Sequence, residues 1–257
     1  MPPGDNKRYA AYTKFPELWS SKIVNGQRLS SQGFATYQLM VLLPEDRHRL
    51  AINIPDIYSS YRLYLNGRIF SASGIPGSSI HTYAPHWDNN TVTITDLSDT
   101  LVLTLQIADF SHAKGGPKEE ITIGDSEKLL ASREKTIASD FLLAGCLFMG
   151  GLFFFALYFF GNKDKATLYF SLFCMAYSYR LIGSNTYSLL SIFPNLNWEI
   201  TVRLEYFTLY VSILLLILYV RNLYAKDVNK TIVKLLAAFC LLMSATTIFV
   251  IPSYRYS

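Results

Sequence analysis

An all-β jelly-roll or sandwich domain followed by an α-helical transmembrane bundle is the fold that this sequence predicts, on three observations. Residues 36–123 alternate apolar and polar with a period of two, residues 141–160 form an apolar run without a charge, and further apolar runs succeed it. The averages conceal this division. A content of 51% hydrophobic and 16% charged residues sits near the soluble norm only because two unlike halves are added together. His48, His81, His86 and His112 and most carboxylates precede residue 141, while Leu, Phe, Tyr and Ile dominate the second half.

The expected organisation is a lead-in at 1–18, a β-sandwich ligand-sensing domain at 19–127, a connector at 128–140 and a transmembrane region at 141–257. Residues 1–12, MPPGDNKRYAAY, lack the apolar stretch of a secretory signal, so a β domain outside the membrane implies sequence upstream of them. Within the β domain, Tyr37, Leu39 and Val41 alternate with Gln38 and Met40. Leu50, Ile52 and Ile54 obey the same rule, as do Val92 with Ile94 and Leu101, Leu103, Leu105 with Ile107. Half-buried strands give that pattern because successive side chains face opposite sides of a sheet. The stretch YRLYLNGRIF at 61–70 reads as a hairpin, since Asn66-Gly67 tolerates the positive φ of a two-residue type I′ turn.

Between residues 71 and 90 the alternation stops, in SASGIPGSSIHTYAPHWDNN. A loop of this length inside a compact domain is uncommon and is often a binding loop. His81, Tyr83, His86 and Trp87 would offer aromatic faces and imidazole hydrogen bonds to a sugar ring or another flat ligand. The structural alternative is that Tyr83 and Trp87 cap the sandwich core. Tyr64 in the hairpin, and His112 and Lys114 in the turn at 112–116, complete the expected ligand-binding set.

No metal site is expected: His81, His86 and Asp88 match no recurrent zinc spacing and no cysteine joins them. No cofactor is expected either. Asp109, Glu119, Glu120 and Asp125 show no catalytic arrangement and there is no nucleophile elbow, so the β half reads as a binder, not an enzyme. The formal charge of +4, without dense Lys/Arg clusters, argues against nucleic acid. Cys146, Cys174 and Cys240 all lie in apolar runs and read as small packing residues.

The run FLLAGCLFMGGLFFFALYFF at 141–160 is long enough to cross a hydrocarbon core of about 30 Å as a helix. Further spans are expected at about 166–182, 206–220 and 232–251. Lys163 and Lys165 come after the first span, and Arg221, Lys226 and Lys230 after the third, whereas 183–200 has no Lys or Arg. The positive-inside rule then puts both basic links in the cytoplasm and the β domain outside, in the periplasm of a bacterium. Arg180, Arg203 and Glu205 fall toward the outer end of the bundle as candidate coupling residues. An interhelical Arg180–Glu205 pair is expected, with snorkelling to the interface as the alternative. Tyr187, Trp198, Tyr206 and Tyr210 read as interfacial anchors.

The order of these features resembles the bacterial seven-transmembrane receptors with diverse intracellular signalling modules. The likeness is carried by Trp19 in FPELWS, GFATYQLMVLLP at 33–44, YRLYLNGRIFSASGIPG at 61–77, ADFSHAKGG at 108–116, ITIGD at 121–125, TLYFSLFCMAYSYRLI at 167–182 and RLEYF at 203–207. The resemblance implies an outer jelly roll similar to carbohydrate-binding modules and a carbohydrate or other small-molecule ligand. It also implies a cytoplasmic output module such as a histidine kinase or diguanylate cyclase. Four spans without an output module depart from that pattern and are expected to be a truncation from seven. The expected setting is the bacterial inner membrane, with lipid, ligand, output module and a second copy in a homodimer as partners. The rival readings are a membrane-tethered carbohydrate-binding protein without output, and an accessory part of a polysaccharide-processing enzyme.

Overall fold

The alternation resolves into antiparallel strands and the apolar runs into helices. The computed structural model describes residues 12–19, 22–24, 27–44, 49–57, 60–95, 98–111, 115–161, 163–184 and 186–249. Among them β1 (Ile23–Val24) and β2 (Gln27–Arg28) form a small hairpin. Then come β3 (Gly33–Leu42), β4 (Leu50–Ile54), β5 (Ser60–Leu65), β6 (Arg68–Ser73), β7 (Asn90–Thr93), β8 (Thr100–Asp109) and β9 (Thr122–Asp125). These make a four-stranded sheet of order β3-β8-β5-β6 and a three-stranded sheet of order β7-β4-β9, antiparallel throughout.

The β5–β6 hairpin turns at Asn66 and Gly67, with φ of 49° and 80°, the conformation that only Asn- or Gly-type residues adopt readily. Asn66 also pins the turn to β8: its Oδ1 accepts from the Val102 N–H at 2.8 Å and its Nδ2 donates to Ser98 Oγ at 2.8 Å. Both sheets feed one apolar core. Ile52 and Ile54 come from β4, and Tyr61, Leu63, Leu101, Leu105 and Ile107 from β5 and β8. Each such side chain contributes about 1.5–3 kcal/mol on burial. The β3 alternation is only half realised: Tyr37 and Val41 pack on the core, but Leu39 is exposed because β3 is an edge strand.

The second part of the chain forms four helices, α1 (Ser126–Phe160), α2 (Lys165–Gly183), α3 (Trp198–Leu223) and α4 (Lys230–Phe249), with a 3-10 turn at Ser188–Ser191 between α2 and α3. The helix of the first apolar run begins well before residue 141, at Ser126. SEKLLASREKTIASD holds neither Gly nor Pro and consists largely of good helix formers, and Asp125 accepts from the Lys128 N–H as a cap does. Asp164 and Asn197 cap α2 and α3 in the same way. Of the four, α1, α3 and α4 are long and apolar enough to cross a membrane by length and composition. The chain divides into two compact units, 1–133 and 134–257.

Inside the second unit α1 meets α2 at Gly151, where a Cβ would come within 3.0 Å of the Ser171 carbonyl and 3.2 Å of Cys174 Cβ. Small residues allow that backbone approach. Phe154 on α1 and Phe170 on α2 then meet at 5.1 Å, and Phe170 meets Tyr219 on α3 at 5.2 Å.

Candidate functional site

The irregular stretch after β6 is built on a glycine. Gly74 has φ +65°, and a Cβ there would overlap the Ala84 carbonyl, which pairs with Ile75 in an isolated bridge. The returning strand of this small loop carries Tyr83 inward, where it meets Phe110 edge-to-face at 5.5 Å. Tyr83 is 6% exposed and Trp87 3%, so both rings are buried. His81 sits exposed at the tip, in a turn where Ser79 and Thr82 hydroxyls bond each other at 3.1 Å. His86 is half-buried and its carbonyl accepts from Ser73 Oγ at 3.1 Å.

Beneath the loop, Tyr61 and Ser71 share a hydrogen bond of 3.1 Å. Burial pushes the Tyr61 phenol up to about 12, with Asp88 and Asp56 adding and the Ser71 bond and Arg133 opposing, so it stays protonated. Burial likewise raises Asp88 above the usual carboxylate range, against the pull of His86 and Arg133. Asn89 closes the loop, and its carbonyl accepts from Arg133 Nη2 at 2.9 Å.

Tyr83, His86 and Trp87 thus lie on one short stretch, and the Tyr83–Phe110 contact joins it to the segment before residue 112. His112 and Lys114 lie outside the described residues. The end of their turn is held firmly: Trp19 donates its backbone N–H to the Gly115 carbonyl and its indole Nε1–H to the Ser31 carbonyl, and a Cβ on Gly115 would overlap that indole. Tyr64 stands apart. It is buried in β5 opposite Thr104, and the loop leaves from the Ser60 end of the sheet, about 13 Å away along the strand. Among the described residues no group of three His, Cys, Asp or Glu side chains could hold a metal.

In the helical unit, Arg180 and Glu205 do meet, but not head to head. Arg180 Nη1 donates to the Glu205 backbone carbonyl at 2.9 Å, while the Glu205 carboxylate accepts from the Tyr187 hydroxyl at 3.2 Å. Tyr187 is not the interfacial anchor that its position in the sequence suggests; it is buried, at φ 48°, a strained conformation for a side chain of this size. Beside it Asp140 Oδ2 accepts from Thr186 at 2.6 Å and from Ser188 at 2.5 Å, tying the α2–α3 link to α1. Arg203, two residues from Glu205 on one helix, faces another side.

Sequence reasoning missed Arg133, Asn89, Asp140, Thr186 and Ser188. Asp140 had a signal, as the last ionisable group before an apolar run. Arg133 had none, since its partner is a backbone carbonyl 44 positions away.

A β domain leads into apolar helices, three of them long and apolar enough to span a membrane by length and composition. Residues 137–257, the helical unit, match the family described as 7TM diverse intracellular signalling, and in this part the chain is similar to that family. No curated protein matches the chain.

Proposed function

We propose that this chain is the sensing and membrane-spanning part of a bacterial signal-transduction receptor, multi-pass in the inner membrane, with the β unit in the periplasm. The match of residues 137–257 to a signalling family carries this reading. Four spans, α2 among them, would place the basic links holding Lys163, Lys165, Arg221 and Lys226 inside. A histidine kinase, diguanylate cyclase or other output module is the cytoplasmic partner. The chain itself binds rather than catalyses.

The ligand is a small molecule of the carbohydrate class, bound at the loop at 71–90 or at residues 112–116. The exposed His81 imidazole and the half-buried His86 would supply hydrogen bonds, while Tyr83 and Trp87 hold the loop in shape from below. Their burial changes the experiment. Replacing Trp87 by Ala would remove a core ring worth about 3–5 kcal/mol, so it reports on stability rather than binding. His81→Ala is the clean probe. The full chain in nanodiscs, screened against an oligosaccharide array, is expected to retain a narrow set of sugars and to lose them in His81→Ala. Retention of no sugar, or an unchanged profile in the variant, overturns the carbohydrate assignment.

A further inference from the structure

The start of α1 is held at two places, one at its first residue and one two turns further on. β9 runs into the helix with no linker: Ser126 donates its N–H to the Arg49 carbonyl at 2.9 Å, and Asp125 caps the first turn. These bonds fix a pivot beside β4. Arg133 lies seven residues on, two turns or about 10.5 Å along the axis, and its guanidinium grips the Asn89 carbonyl. Asn89 is the last residue before β7, which is the far strand of the sheet β7-β4-β9. The helix thus leaves from one edge strand and is tied back to the other.

A helix fixed at one point can swing; fixed at a second point two turns away, it has a set direction. We propose that Arg133 is the positioning residue that reports the state of the 74–89 loop to α1. This deepens the receptor reading and rests on it. The loop ends at the carbonyl that Arg133 holds, and the Arg133 charge is within electrostatic reach of Asp88 and Tyr61 under the same loop. A ligand that reseats the loop moves Asn89, and the guanidinium moves with it. Arg suits this task because its planar guanidinium is pre-organised for the single N–H bond to Asn89, where Lys supplies only a point charge on a flexible stem.

The test needs no ligand. Hydrogen exchange of the full chain in nanodiscs compares wild type with Arg133→Met, Arg133→Lys, Ser73→Ala and the Ser73→Ala/Arg133→Met double variant. Ser73→Ala loosens the loop by removing its bond to the His86 carbonyl. Arg133→Met is expected to speed exchange about tenfold at both 126–136 and 89–93, leaving β3 and β8 unchanged, with partial recovery in Arg133→Lys. Ser73→Ala should speed exchange at 126–136 in the wild-type background and add nothing there in Arg133→Met, the mark of one coupled path. Equal effects of Ser73→Ala in both backgrounds, or uniform loosening of the whole β unit by Arg133→Met, overturns the assignment. Either failure alongside intact His81-dependent sugar binding would remove Arg133 and leave the receptor reading standing.

Discussion

The two units differ in the side chains that dominate their interiors. The β unit gathers Ile52, Ile54, Leu63, Leu101 and Ile107 into an apolar core. The helical unit hides Ala166, Ser171, Cys174, Ser178, Thr201, Ser212, Cys240 and Ser244, while Leu142, Met149, Phe153, Leu235 and Leu242 face out. The first is organised against water, where burying apolar area drives folding. The second is organised for lipid, where tails are as apolar as Leu and close packing of small residues does the holding. One substitution therefore has different consequences in the two places.

The largest expected contrast is a leucine truncation made in each. Leu101→Ala, at a site with no exposure, should destabilise the β unit by about 2–5 kcal/mol, read as loss of hydrogen-exchange protection across β8. The same change at Leu242, 60% exposed on α4, should alter thermal unfolding in nanodiscs by less than about 1 kcal/mol. Equal losses at the two sites would break the comparison. Gly151→Leu sharpens it from the other side. The added side chain has no room against Ser171 and Cys174, and should cost about 1–3 kcal/mol in the α1–α2 packing.

Asp140→Asn weakens the acceptor shared by Thr186 and Ser188, and should lower the stability of the helical unit by about 1 kcal/mol in the same assay. The smallest effect is a pH effect. Burial raises the Asp88 carboxyl above its ordinary value of 3.8, so its ionised form disfavours the folded β unit. The stability linked to the neutral form is complete below that ordinary value and is lost as pH rises through the folded one. Asp88→Asn should therefore raise the melting temperature at neutral pH, with the gain closing toward acid. A gain of the same size across the range would remove desolvation as its cause.

Much of this was legible in the residues. Period two points to the strands and the Asn66-Gly67 pair to a turn of positive φ, and both stand in the structure. Local signals of that kind survive folding because they depend on neighbours in the chain. The start of α1 was less legible, since the apolar run marks where a membrane begins and not where a helix does. Tyr83 and Trp87 were ambiguous for another physical reason: an aromatic in a loop is the same letter whether its face is open to a ligand or, as here, buried. The bonds to backbone carbonyls were invisible. Arg133 to Asn89 and Arg180 to Glu205 depend on main-chain groups that every residue possesses.

The central claim is that the β unit and the basic helix links lie on opposite sides of a membrane, as a receptor requires. It is tested by labelling intact cells with a membrane-impermeant maleimide, in a background where Cys146, Cys174 and Cys240 are alanine. Glu119→Cys, exposed on the β unit, should label from outside, and Lys226→Cys, in the link between α3 and α4, only after the inner membrane is permeabilised. Labelling of Lys226→Cys from outside, or protection of Glu119→Cys, would contradict that claim.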